Sequence, residues 1–558
     1  MKISYILPVT SETGVRCTNT NIAMKYLAST FESILSQSIP NWELIVVVEK
    51  ALEQKVSTIL NKAIQSTGLI KEFNNEKLKS SICLITTSSK NAAIACNKGL
   101  ELCKGQYVAL IQAGDQLADI STYELIKCLV ENPKAQFIYT DHDYLDLQGI
   151  RFKPFFKPDL SPDLLNCQNY ISNLVLAKKS LLKRLGGWNS QFSAAYDYAL
   201  NLEAIGGLIK LDRPNPKLLG DKSPIKHIPK ILYHQRANLK VNPKSKQLLE
   251  IRPSRTDEAK QSQQGLTLLK SFFKSQNRNV TVKQIKPKLY RHQWATPKLE
   301  PLVSLIIPTR DGYDILKTCI ESIIKKTTYK NYEILIVDNQ STDLKVLEYM
   351  KSLEGDHSNI RILKYNKPFN YSAINNYAVT KANGSVLGLI NNDTEVITPE
   401  WLTEMVSHAI RPEIGCVGAM LYYPDGTIQH GGVSVGINKT IDHAFKGLKN
   451  KSASDYHNYL NSIRNPKALT AATLLINKIL FRKISGFDEK NLPIAFNDVD
   501  LCLKVYRLGY QNLFIPHTRI NHHESKSRAK IKENRNDYFY LTKKHKEHFK
   551  EKYVYYPD

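Results

Sequence analysis

ISYILPVT (Ile3–Thr10) and VSLIIPTR (Val303–Arg310) are two versions of the same strand placed far apart in one chain. After a helix-like segment each is followed by a second β-branched run, NWELIVVVE (Asn41–Glu49) and NYEILIVDN (Asn331–Asn339). A third pair, KGQYVALIQAGD (Lys104–Asp115) and NGSVLGLINNDT (Asn383–Thr394), ends in a polar turn. Short, continuously apolar runs are the signature of strands buried on both faces, and intervening helices imply parallel pairing. The pattern predicts two tandem α/β units, beginning near residues 1 and 301. Each would have a mostly parallel, doubly wound central sheet that binds ligands beyond the carboxyl ends of its strands.

A chain of 558 residues is too long for a single core at about 150 residues per domain. Hydrophobic residues at 42% and charged residues at 23% exclude fibrous, collagen-like and wholly disordered classes. The 77 Lys and Arg against 52 Asp and Glu leave a net charge of +25, which favours an anionic partner: nucleic acid, an acidic membrane surface or a phosphorylated substrate. No nucleic-acid-binding motif with interleaved aromatics is present, so nucleic acid ranks last. The 9 cysteines have no CxxC pair and no zinc spacing, which reads as a reducing compartment. The opening MKISYILPVT lacks the apolar length of a signal peptide, and no run approaches the roughly 18 to 20 residues that span a bilayer. Any membrane contact is therefore expected to be peripheral.

The expected organisation is an N-terminal unit over 1–240, a basic structured linker over 241–300, a second unit over 301–528 and a basic helical tail over 529–558. The linker holds a helical segment (Thr256–Ser275) and a strand-like VTVKQI. The tail reads equally as a solvated helix packed by its tyrosines and as a membrane-surface or phosphate-binding segment.

Chemistry-bearing residues cluster at predicted strand ends of the second unit. Asp338 closes EILIVD and Asp393 closes VLGLINND. A carboxylate there faces the ligand crevice, although Asp and Asn are also common turn formers. Asp498 and Asp500 open an amphipathic helix in FNDVDLCLKVYRLGY (Phe496–Tyr510), where acidic residues also suit the helix dipole. NHHES (Asn521–Ser525) sets two histidines at another strand end, where an adjacent Asp would complete an oxygen and nitrogen metal site.

IIPTRD, ILIVDNQS, INNDTEVITPEWL, LYYPDGTIQHGGV, LTAATLLI, ISGFDE, FNDVDLCLKVYRLGY and NHHES, in that order, resemble a family 2 glycosyltransferase. The fold implied is GT-A, the Rossmann-like nucleotide-diphospho-sugar transferase fold. The likeness is strongest to the two-domain rhamnosyltransferase-like enzymes of O-antigen and other surface-polysaccharide synthesis. KPFFKPDLSPDLL, QNYISNL, LLKRLGGWN and HIPKILYHQR bring the first unit into the same resemblance.

The resemblance implies an inverting enzyme that uses Mn²⁺ or Mg²⁺ and a UDP- or dTDP-sugar donor. The acceptor would be a growing glycan, free or on a polyprenyl diphosphate. It implies a cytoplasmic protein whose basic surface suits the anionic inner face of the membrane. Asp338 matches the residue that bonds the uracil or thymine imide, with Thr309, Asn391 and Asn392 also on the nucleotide side and Arg528 near the diphosphate. Asp393 and His522, or in its place His523, match the metal ligands, Asn391 standing where a first carboxylate is usual. Asp498 matches the general base, with Asn497 where many relatives have Glu. His430 and His443 match family patterns without an assigned role.

The first unit departs from this pattern. Ungapped alignment sets Val48 against Asp338 and Gly114 against Asp393, with Asp115 one place later. Asp197 matches Asp498, the acidic turn Asp141-His142-Asp143 persists, and His234 matches the late histidine. The expectation is a degenerate first domain that binds acceptor or partner. A one-residue bulge restoring Glu49 and Asp115 would instead make the enzyme bifunctional, and loss of both sites would make it a noncatalytic sugar-binding scaffold.

Overall fold

The computed structural model describes residues 1–11, 20–66, 81–209, 213–216, 223–237, 239–241, 248–250, 255–436, 440–449, 457–523 and 535–549. The first sheet comprises β1 (Ile3–Val9), β2 (Trp42–Glu49), β3 (Ile82–Thr87), β4 (Tyr107–Leu110), β5 (Gln116–Leu117), β6 (Phe137–Leu145), β7 (Arg151–Phe155), β8 (Val175–Lys178) and β9 (Ile225–Arg236). Two short pairs follow, β10 (Leu239–Val241) with β11 (Leu248–Glu250) and β12 (Val280–Lys286) with β13 (Leu289–Trp294). The second domain opens with β14 (Val303–Thr309), β15 (Tyr332–Asp338), β16 (Ile360–Lys364), β17 (Val386–Ile390) and β18 (Thr394–Val396). It continues through β19 (Ile414–Tyr422), β20 (Ile428–His430), a separate ribbon of β21 (Val433–Val435) and β22 (Ile441–His443), β23 (Thr473–Asn477) and β24 (Gln511–His522).

The first sheet runs β3-β2-β1-β4-β8-β6-β9-β5 with β7 beside β6; the second runs β16-β15-β14-β17-β23-β19-β24-β18 with β20 beside β19. Position for position these are the same sheet, so the repeat extends well past the three sequence matches. Both are mostly parallel α/β sheets of the GT-A type. The continuous apolar runs are explained by burial on both faces. Ile3, Tyr5 and Leu7 enter one core and Ile6 the other, as Val303, Leu305 and Ile307 do against Ile306.

A polar clip recurs at the amino-terminal end of each sheet. Ser4 Oγ donates to Glu43 Oε1 (2.5 Å) and accepts from Gly105 N–H (2.9 Å). Ser304 Oγ donates to Glu333 Oε1 (2.6 Å) and accepts from Gly384 N–H (2.8 Å). A Cβ on Gly105 would lie 2.7 Å from Lys2 O, and one on Gly384 2.6 Å from Leu302 O. Only glycine allows the approach.

The described part of the segment between the domains holds a long helix and a hairpin. Leu268, Leu269 and Phe273 of the helix Arg255–Ser275 and Val282 and Tyr290 of the hairpin join the first domain's core, and Leu289 joins the second's. At this junction Arg411 Nη1 meets Asp163 Oδ1 (2.7 Å) and Nη2 meets Glu413 Oε1 (2.8 Å), all three side chains buried. The Arg411 guanidinium also lies 4.2 Å from the centre of the Trp294 ring. Burial opposes ionisation of Asp163, but Arg411 more than offsets it and holds the carboxyl well below its usual range.

The C-terminal helix Arg535–Lys544 turns part of its basic charge inward. Lys544 Nζ and His545 Nε2 each lie 2.8 Å from Asp500 Oδ1, and Tyr540 O–H donates to Asp488 Oδ2 (2.7 Å). Among the described residues no helix is long and apolar enough to cross a membrane.

Candidate active site of the second domain

The strand ends of the second sheet bring the predicted residues into one connected group. Thr309 and Asp338 are register partners on β14 and β15. Asp338 is buried, its Oδ1 accepting the Ser341 N–H (3.0 Å). Asn392 Nδ2 donates to Thr309 Oγ1 (3.0 Å), which ties the turn after β17 to the end of β14. Beside it Asp311 accepts the N–H groups of Asp343 and Thr342, which hold its carboxyl below the usual range.

His522, near the end of β24, completes the group. Its Nε2 lies 3.0 Å from Asp393 Oδ1 and 3.4 Å from Asn391 Nδ2, while its Nδ1 lies 2.6 Å from Gln429 Oε1 on β20. An amide oxygen only accepts, so the Nδ1–H donates to Gln429 and Nε2 is the nitrogen turned to Asp393. At 3.0 Å from each other, Nε2 and Asp393 Oδ1 are close enough that both could ligate one cation. A carboxylate oxygen and an imidazole nitrogen form a donor pair that could contribute to a divalent-cation site. His523 meets Asp393 only through its backbone, its N–H donating to Asp393 O (2.9 Å), while its ring turns to Glu395 Oε2 (3.4 Å).

Asp498 is half-buried at the start of the helix Asn497–Arg507. Phe496 takes a left-handed φ of 57° there, so the chain turns sharply into the helix. The Ala471 N–H donates to Asp498 Oδ2 (3.1 Å) and the Val499 N–H to Oδ1 (2.8 Å). Asn391 N–H in turn donates to Ala472 O (3.0 Å), so the loop that holds Asp498 also holds the Asn391–Asp393 turn. Asn497 turns away to Ser372 Oγ (3.1 Å).

Gln429 and Tyr371 were not singled out by the sequence reading. Tyr371 O–H reaches Asn391 Oδ1 (3.3 Å). The available signal for Gln429 was a polar residue inside the short buried strand IQH. His430 points to His443 (Nδ1 to Nδ1 2.7 Å), and burial keeps it neutral by driving its pKa well below the usual histidine value. Arg528 lies outside the described residues. A groove of about 710 Å³ beside the tail is lined by Asn376, Arg482, Gly486, Lys504 and Lys544, but by none of these site carboxylates.

A model of glycosyl transferase family 2 matches residues 17–186 and 304–462, more than half the chain and both sheets. The chain belongs to glycosyl transferase family 2. Among this family member's relatives, an uncharacterized protein of Sinorhizobium fredii, y4gI, is 36% identical over 90% of the chain and 52% of its own length. The O-antigen biosynthesis protein RfbC of Myxococcus xanthus is 31% identical over 90% of the chain and 36% of its own length. The chain thus spans about half or less of these two relatives. The crystal structure of GalNAc-T7 with UDP, GalNAc and Mn²⁺ aligns at 16% identity over 47% of this chain and 51% of that one, with a TM-score of 0.37, a likeness that adds nothing to the assignment.

The first family 2 repeat lacks this arrangement. Val9 pairs with Val48 as Thr309 pairs with Asp338, and Ile6 pairs with Leu110 as Ile306 pairs with Leu389, with no register shift. Val48 therefore occupies the place of Asp338, and Gly114 that of Asp393. The bulge that would restore Glu49 and Asp115 is absent along these pairs. Glu49 Oε2 accepts the Ser11 N–H (2.8 Å), and Asp115 accepts Tyr233 O–H (2.7 Å) and Arg236 N–H (2.8 Å).

The match of His234 to the late histidine is corrected by one residue. His234 pairs with Gln116 on β5 and with Asp143 on β6, as Asn521 pairs with Glu395 on β18 and with Tyr422 on β19. Gln235 holds the place of His522. A shift of one residue reverses the face, and the His234 ring bonds Asp143 Oδ1 instead (2.6 Å). Asp197 does open its helix as Asp498 does, but Asn169 Nδ2 donates to its Oδ2 (3.1 Å).

Proposed function

We propose that the second domain transfers a sugar, with inversion, from a UDP- or dTDP-sugar to a hydroxyl of a growing surface glycan, and that the first domain is noncatalytic and binds acceptor or partner. The observation that carries this reading is the single group of Asp393 Oδ1 and His522 Nε2 at 3.0 Å, joined through Asn391, Ala472 and Ala471 to Asp498.

Asp338 keeps Oδ2 for a base imide N–H. Asp393 and His522 would hold a divalent cation, which offsets the charge that builds on the leaving diphosphate. Asp498 accepts the acceptor hydroxyl proton as that oxygen bonds to the anomeric carbon. The bond from that carbon to the diphosphate oxygen breaks, and its electron pair leaves with the nucleotide. Single displacement inverts the centre. The O-antigen role of the Myxococcus relative favours a surface polysaccharide, dTDP-rhamnose as donor, and an acceptor on polyprenyl diphosphate at the inner leaflet. Surface lysines would favour that membrane by about 1 kcal/mol each when well placed.

The test is nucleotide release from a panel of UDP- and dTDP-sugars with glycan acceptors, in Mn²⁺ or Mg²⁺. Release by the wild type that disappears with chelator and with Asp393→Ala, but persists with Asp115→Ala, is the expected result. Loss in part with each substitution would mean two working sites and overturn the single-site reading.

A further inference from the structure

Gln429 is buried at 3% exposure and makes the 2.6 Å bond to His522 Nδ1 across 93 residues of sequence. Its neighbours on β20 explain why it points there. Ile428 pairs with Tyr422 and His430 with Leu421, so Gln429 is the extra residue of a bulge between them, a device that re-aims a side chain out of the regular alternation. β20 is pinned to β19 at Leu421 and His430, and β19 runs beside β24 with Tyr422 opposite Asn521, so the register delivers Gln429 to His522.

We propose that Gln429 is a positioning residue: by accepting the Nδ1 proton it fixes the His522 tautomer and ring, so that Nε2 faces Asp393 as a ligand for a divalent cation. This rests on the reading of Asp393 and His522 as the cation pair. An imidazole whose other nitrogen is not held can present N–H in place of a lone pair, or rotate away. The first domain supports the assignment from within the same chain. Pro154, just before Phe155 on β7, stands where Gln429 precedes His430, and Gln235 stands where His522 does. The domain without the imidazole also lacks the side chain that would orient it.

The test is Mn²⁺ binding to the full chain, without sugar donor, by electron paramagnetic resonance of the free ion, with Mn²⁺ alone and with Mn²⁺ plus UDP. Gln429→Leu removes the acceptor and is expected to weaken Mn²⁺ by about 10- to 100-fold, the range for losing a partner of a metal-bound histidine. Gln429→Glu keeps the acceptor and is expected to bind at least as tightly as the wild type. Nucleotide release by Gln429→Leu should recover toward the wild-type kcat at saturating Mn²⁺. Unchanged Mn²⁺ affinity in Gln429→Leu would overturn the proposal, as would equal weakening in both Gln429 variants. If the wild type and Asp393→Ala bind Mn²⁺ alike, the cation pair itself is wrong, an outcome distinct from a silent Gln429. Near-ultraviolet circular dichroism of Gln429→Leu is expected to match the wild type; should it not, the comparison passes to Gln429→Met and Gln429→Glu, where Met alone should lose affinity.

Discussion

The two sheets are alike at one end and unlike at the other. At the amino-terminal ends of their strands, Ser4, Glu43 and Gly105 make the same buried clip as Ser304, Glu333 and Gly384. At the carboxyl ends, Asp338 faces Val48 in the comparison, Asp393 faces Gly114, and His522 faces Gln235. What the fold needs is present twice, and the set of polar strand ends proposed to bind nucleotide and cation is present once. In the first domain Tyr233 and Arg236 occupy the oxygens of Asp115, so its nearest spare carboxylate is spent on holding β9 in place.

The sharpest way to break this comparison is to disarm the two helix-start aspartates in turn. Asp498→Asn should lower kcat for nucleotide release by about 10² to 10⁴, the usual worth of a general base. Asp197→Asn should leave kcat within about twofold, and a comparable loss there would mean two active domains. Next in size is the junction that holds the halves together. Arg411→Met leaves Asp163 and Glu413 buried without their cation and should cost about 3 to 5 kcal/mol in urea unfolding. A variant within 1 kcal/mol of the wild type would show the junction is not carried by this ion cluster.

The same junction gives a pH dependence. Burial, reinforced by Arg411 and opposed by Asp163, drives His292 from its ordinary value down to about 4. Between about 6.5 and about 4 the unfolded chain binds a proton there that the folded chain does not, so stability should fall as pH drops through that window. Burial lowers His408 in the same direction, which adds to the slope. Thermal melts from pH 7 to 4 that show no loss would contradict this.

Smaller again is Asp115→Ala, which removes the acceptor of the Tyr233 hydroxyl and the Arg236 N–H and should cost about 1 to 3 kcal/mol of stability with no change in metal-dependent release. Asp393→Ala should show the reverse. Last, Tyr540→Phe removes one bond to Asp488 and should cost about 1 kcal/mol, a measure of how firmly the tail helix is fastened to the second domain.

Much of this was legible along the chain. The strand runs, their repetition and the carboxylates at strand ends all follow from local residue type, because burial on both faces demands continuous apolar residues whatever the partner strand is. Asp338 and Asp393 stood out at strand ends and Asp498 at a helix start, while their roles came only from the resemblance to family 2 glycosyltransferases. His234 was placed one residue off because a strand reverses face at every step, and only its pairing with β5 and β6 sets the count. The tail was read as a basic segment on its charge, whereas packing spends Lys544 and His545 on Asp500 inside.

By itself the sequence determined two α/β repeats, their strands, and which one carries a full set of acidic strand ends. The tertiary structure decided which groups meet: Gln429 with His522 across 93 residues, and Arg411 with Asp163 across 248. The physical reason is one of range. Burial is paid residue by residue and leaves its pattern in the chain, while a hydrogen bond or ligand pair exists only when two side chains come within about 3 Å, and that is set by register and packing.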